Sequence, residues 1–116
     1  MNEEKRIRMW GMLCHFTALL GITGFPFGHL LGPLLIWMLK RKEHAFIDDQ
    51  GRESLNFQLS MTLYTMCTVM FVIYLKIGVS PLLILVFANL ILVIIASLRA
   101  KSGETFRYPF RIRFLR

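Results

Sequence analysis

LNFQLSMTLYTMCTVMFVIYL, residues 55–75, contains no aspartate, glutamate, lysine or arginine. At about 1.5 Å per residue, a helix of that length rises about 30 Å, the thickness of a bilayer's hydrocarbon core. Residues 77–98 form a second uncharged run, and residues 9–39 a third. Charge is thus segregated along the chain, which is the pattern of a membrane protein. Apolar residues make up 55% of the 116, and the mean hydropathy is +0.54. A chain of this length allows one domain, and a soluble domain so small could not bury that much apolar surface.

Working outward, Pro and Gly punctuate the long first run. Gly24, Phe25, Pro26, Phe27 and Gly28 read as a turn. The basic patch Lys5, Arg6 and Arg8 ahead of the first run resembles that of a signal peptide. No small-x-small cleavage site follows it, so the run reads as a retained helix. The expected fold is all-α and integral to the membrane: a single domain over 1–116, a four-helix transmembrane bundle. The expected helices are 6–25, 28–40, 49–76 and 81–100, with an extended basic and aromatic tail over 104–116. The second helix is too short to cross easily and is either short or re-entrant. Asp48 or Asp49 is the expected N-cap of the third.

Orientation follows from counting. With four spans and the N-terminus inside, 13 of the 14 lysines and arginines face the cytoplasm, and only Lys76 lies outside. Both ends are therefore expected inside, in the cytoplasmic membrane of a bacterium. The net charge of +7 falls in clusters beside apolar runs, which excludes nucleic acid as the natural partner. Lys40, Arg41 and Lys42 read as a topogenic cluster or as contacts to headgroups or an acidic partner. In the tail, Phe106, Tyr108, Phe110, Ile112 and Phe114 alternate with Arg107, Arg111 and Arg113. That period of two suits an extended segment on anionic headgroups, one packed on the protein's own loops, or a strand that meets a partner.

Several polar residues fall inside the apolar runs. Ser54, Gln58, Thr62 and Thr65 share one face of the third helix, as a polar pathway or as interhelical glue. His15 lies in the first run and Asn89 in the fourth. An intramembrane ionisable group is a candidate site, but no acid accompanies it to build a proton relay. His15, Asn56, Gln58, Thr62, Thr65 and Asn89 form the candidate polar cluster. The helix ends are expected to converge on Asn56, with His15 beneath it and Gln58 bridging them. Gly28 and Gly32 have the spacing of closely packed helices. Cys14 and Cys67 fit neither a disulfide framework nor a metal site. No catalytic constellation, metal site or cofactor motif is present, so no enzymatic activity is expected.

The stretches WGMLCHFTALLG (10–21), FGHLLGPLLIWMLKRKEHAFIDDQGRESLNFQ (27–58) and RYPFRIRF (107–114) together resemble a family of small bacterial membrane proteins of unknown function. That family is similar to the twenty-kilodalton component of the chloroplast inner-envelope protein import machinery. The most specific part is DDQGRESLNFQ, which carries Asp48, Asp49, Gly51, Arg52 and Glu53 at the inner surface. The resemblance implies a four-helix membrane domain and a translocation-related role. The expected function is a non-enzymatic membrane component working as a homo-oligomer or with other membrane proteins. The alternative is a small transporter or channel built from a homo-oligomer.

Overall fold

The computed structural model describes residues 2–23 and 27–115, and among these it is all-helical. The expected turn at Gly24, Phe25 and Pro26 lies outside the described residues, as do Met1 and Arg116. The α-helices are α1 (Glu3–Phe16), α2 (Gly28–Lys40), α3 (Ala45–Leu75) and α4 (Ser80–Lys101). A 3-10 segment, Thr17–Thr23, carries α1 onward.

Local chemistry sets the ends. The Asn2 side chain accepts the Lys5 N–H at 2.8 Å, and Glu3 and Glu4 place negative charge in the first turn of α1. The helix loosens to 3-10 geometry at Thr17, whose hydroxyl donates to the Leu13 carbonyl at 2.6 Å and competes with the backbone ladder. The α-helix expected over 6–25 thus ends at Phe16 and gives way to the 3-10 segment; residues 24 and 25 lie outside the described residues. At α3 the cap is His44, whose Nδ1 accepts the Phe46 N–H at 3.0 Å. Asp48 and Asp49 therefore lie inside the helix rather than capping it, and α3 begins at Ala45 instead of residue 49.

Among the described residues, only α3 and α4 are helices long and apolar enough to cross a membrane. Of the expected four-helix bundle, two helices have spanning length; α2 is short, as expected, with 13 residues, and α1 has 14 before the 3-10 segment.

α2 folds back along α1 and the 3-10 segment at backbone contact. A Cβ on Gly32 would sit 2.3 Å from the Thr17 carbonyl oxygen, so only glycine fits there. On its other side α2 lays Trp37 over Gly51 of α3, where a Cβ would meet the ring at 2.5 Å. The C-terminal part of α4 packs against α1 through small residues, Ala96 and Ala100 among them. The core joins Ala18, Phe57, Met61, Val93, Ala96 and Tyr108.

All this packing lies toward one end of the molecule. The buried residues of α3 fall between Ile47 and Met61, and those of α4 between Val93 and Ala100. Beyond them, residues 63–75 and 80–92 include none that is buried. The His29 ring at the start of α2 bonds the Thr62 hydroxyl at 2.8 Å, which fixes the level of α2's first turn against α3. α3 runs on for about 20 Å past that level. The result is elongated, 53 × 25 × 22 Å, with a four-helix end and a bare two-helix end.

Gly32→Val tests the close α1–α2 contact. The added side chain meets backbone that cannot rotate away, so stability in detergent should fall by about 1–3 kcal/mol. A thermal midpoint equal to that of the parent would contradict the packing.

Candidate functional site

The first half of α3 is polar on one face at helical spacing: Asp49, Glu53, Asn56, Ser60 and Tyr64. The tail after α4 fits against this row as a narrow hairpin. On the way in, the Phe106 N–H donates to Gln50 Oε1 at 3.3 Å and the Tyr108 N–H to Glu53 Oε1 at 2.8 Å. The chain turns at Pro109 and Phe110, with Phe110 in the left-handed region at φ 63°, and the Tyr64 hydroxyl donates to the Phe110 carbonyl. On the way back, the Ile112 N–H donates to Ser60 Oγ at 2.6 Å. Asn56 then holds Leu115 at two points: its Oδ1 accepts the Leu115 N–H at 2.7 Å, and its Nδ2 donates to the carbonyl at 2.8 Å. Side chains of α3 thus stand in for a neighbouring strand.

Charge fastens the same hairpin. Arg107 makes a two-pronged contact to Asp49, with both N–O distances 2.8 Å. That hydrogen bonding raises the Arg107 pKa above its usual value. Glu53, only 3% exposed, accepts from Arg111. Elsewhere, Arg6 joins α1 to Glu43 in the α2–α3 connection. Arg6 first, and then Lys40, hold the Glu43 carboxyl below the usual carboxylate range.

Tyr108 is the tail's anchor in the core. Its ring stacks on Phe57 with centroids 4.0 Å apart and planes 9° apart. Its hydroxyl lies 2.8 Å from His15 Nδ1, while His15 Nε2 lies 2.7 Å from Gln50 Oε1. Since the Gln50 oxygen can only accept, Nε2 carries the proton and Nδ1 accepts from Tyr108. The Gln50 amide nitrogen in turn donates to Asp49 at 2.8 Å. A buried chain of bonds therefore runs from Tyr108 through His15 and Gln50 to the Asp49–Arg107 pair. Among the described residues no group of three His, Cys, Asp or Glu could hold a metal ion.

The expected polar cluster is divided into separate sets. His15 pairs with Gln50 and Tyr108, not with Asn56 or Gln58. Asn56 serves the tail. Gln58 reaches across to Asn89 on α4, with bonds of 2.9 and 3.3 Å, because the α4 amide lies opposite it while His15 is already satisfied. Thr62 accepts from His29 and donates to the Gln58 carbonyl at 2.8 Å. Thr65, expected to face another helix, is exposed at the edge of a groove of about 580 Å³ with His29, Thr62 and Asn89. Ser54 Oγ is the one buried side-chain polar atom without a hydrogen-bond partner among the described residues.

The inner-surface motif is accounted for residue by residue. Asp48 accepts from Trp37 Nε1 at 2.8 Å and pairs with Arg52 at 2.9 Å. Asp49 and Glu53 hold the tail, and Gly51 admits Trp37. Of the expected headgroup contacts, several are engaged internally. Lys40 pairs with Glu43 and lies over Trp10, Arg41 lies over Trp37, and Arg107 and Arg111 hold α3. Lys42 and Arg113 are exposed. The tail's expected apolar face also breaks: Tyr108 is buried, but the turn swings Phe110 outward to 83% exposure. Gln50, Ser60 and Tyr64 were not singled out from sequence, and Tyr108 was read only as part of the tail's apolar face. The signal was a second polar row on α3, Glu53, Asn56, Ser60 and Tyr64, beside the one that was noted.

Comparison with known proteins turns up one family. The model of the magnetosome magnetite crystal formation protein family matches residues 6–115. No curated protein and no solved structure matches. The match overturns the expected kinship with the chloroplast import component. DDQGRESLNFQ, the stretch that suggested it, consists largely of residues that pack α2 and the tail against α3.

Asn56→Leu should release the end of the tail while leaving α3 helical. The Leu115 backbone groups would lose partners worth about 1–3 kcal/mol together. Carboxypeptidase digestion in mild detergent should then trim the tail faster than in the parent. Equal trimming rates would rule out the two-point clasp.

Proposed function

The chain belongs to the magnetosome magnetite crystal formation protein family, and from that premise we propose that it is a non-enzymatic, multi-pass protein of the membrane enclosing a magnetite crystal. It acts on the crystal through that membrane and its protein neighbours. α3 and α4 cross the bilayer. The α1–α2 pair enters from the basic side and turns back near the middle. Both basic ends face the cytoplasm, and the turn at residues 76–79 faces the crystal. The distribution of lysine and arginine supports this orientation, since Lys76 alone lies at the far turn.

The observation that carries the indirect mode of action is the commitment of the acids. A protein that templates iron oxide by direct contact would present free carboxylates to the mineral. Here every aspartate and glutamate lies in the basic half, and all but Glu104 hold a basic partner: Glu3, Glu4, Glu43, Asp48, Asp49 and Glu53. What the chain offers its surroundings is apolar flank on α3 and α4, suited to lipid, to a second copy or to other membrane proteins. Lys42 and Arg113 meet anionic headgroups on the cytoplasmic side.

Removing the chain from a magnetite-forming bacterium should leave the crystals smaller or misshapen in electron micrographs. Resupplying it should restore them, and the protein should stay with crystal-bearing membranes through a high-salt wash. An unchanged crystal population, or release of the protein by salt, would sink the proposal.

A further inference from the structure

We infer that the chain is a wedge within the bilayer, and that it partitions into membrane whose basic-side leaflet is convex. The inference rests on the reading that α3 and α4 span the membrane. It starts from the unequal filling of the two halves. At the level of Phe57, the α1 extension, α3, α4 and the tail hairpin pack around one core, and α2 packs beside them against the α1 extension and α3. The His29–Thr62 bond marks the level of α2's first turn, and the Tyr64–Phe110 bond marks the top of the tail. Among the described residues, only α3 and α4 continue far past those two bonds. Each helix is about 10 Å across, so the protein's cross-section roughly halves from one leaflet to the other.

The tail adds to the asymmetry. Phe110 is 83% exposed and Phe114 51%, with Arg113 between Ile112 and Phe114 on the returning strand. Apolar rings at membrane depth beside an exposed cation are the composition of an interfacial insertion, whose binding depends on curvature. It occupies the leaflet that the short helices already crowd. Lipid is the occupant of the narrow half. Met70, Phe71 and Ile73 of α3 and Ile84, Val86 and Phe87 of α4 are all well exposed, and the uncharged runs continue around both helices. Tails of lipid fill that half at lowest cost where the opposite leaflet is spread by curvature.

The test uses the full chain, labelled at its N-terminus and reconstituted into phosphatidylethanolamine–phosphatidylglycerol vesicles of mixed size. Protein density is read vesicle by vesicle, and an impermeant quencher reports which side the label occupies. Density should rise several-fold from the largest to the smallest vesicles, with the label outside. Density independent of size, or enrichment with the label inside, overturns the wedge. An impermeant amine reagent separates this from the underlying topology. It should modify Lys5 and Lys101 and spare Lys76 in outward-facing protein. Lys76 reacting alongside them would defeat the spanning reading itself. Cys67, exposed on the bare part of α3, supplies the last check. Oxidation should leave the chain monomeric, whereas efficient Cys67–Cys67 cross-linking would mean that a second copy fills the narrow half, and the wedge fails.

Discussion

Hydrocarbon supplies no hydrogen bonds, and a buried amide or hydroxyl left without a partner costs several kcal/mol. α3 carries Gln50, Glu53, Asn56, Gln58 and Ser60 through its buried half, none more than 3% exposed. That demand organises the basic end of the molecule. Gln58 is met by Asn89, which pins α4; Gln50 is met by His15, which pins α1; Asn56 and Ser60 are met by the backbone of the tail. The helices need not attract one another by apolar contact, which in lipid gives little net preference. They are held because Gln50, Asn56, Gln58 and Ser60 each find a partner on another segment.

The apolar runs made the helical class and the spanning length of α3 and α4 readable from sequence, since charge depletion over residues 55–75 and 77–98 is a property of the segments themselves. The brevity of α2 was readable for the same reason. What could not be read was pairing. Gln58 and His15 looked matched in depth along their own helices, but depth says nothing of azimuth, and the neighbour across from Gln58 is Asn89. The tail misled in a different way. Its alternation of rings and arginines is regular through Tyr108, yet the reversal at Pro109 and Phe110 changes the phase, so a face inferred from period two cannot persist beyond it. The signal was present in α3 instead, where polar residues occupy two adjacent rows although a single interhelical seam needs one.

The inner-surface motif shows why a shared pattern can suggest the wrong relatives. Gly51 is required by the Trp37 ring, Asp48 by the indole N–H and Arg52, and Asp49 and Glu53 by tail arginines. Each constraint is one of packing between short helices and a long one. Any small membrane protein built around a long helix with a basic return strand meets the same demands. Such a motif therefore reports architecture, and the role of the chain has to be sought in its family and its surfaces.

The clasp between Asn56 and Leu115 joins residues 59 positions apart. Synthesis is directional, so, with α3 spanning the bilayer as proposed, that helix enters lipid well before the strand that satisfies it has been made. During that interval Asn56 and Ser60 are without their tail partners, and Glu53 faces no arginine from the tail. The nascent chain must wait in a place wet enough to tolerate them, either low in the headgroup layer or beside the insertion machinery. Its final depth is then reached in a second step, when the tail folds back. Assembly is thus two-stage in time, and the pause between the stages is written into the order of the residues.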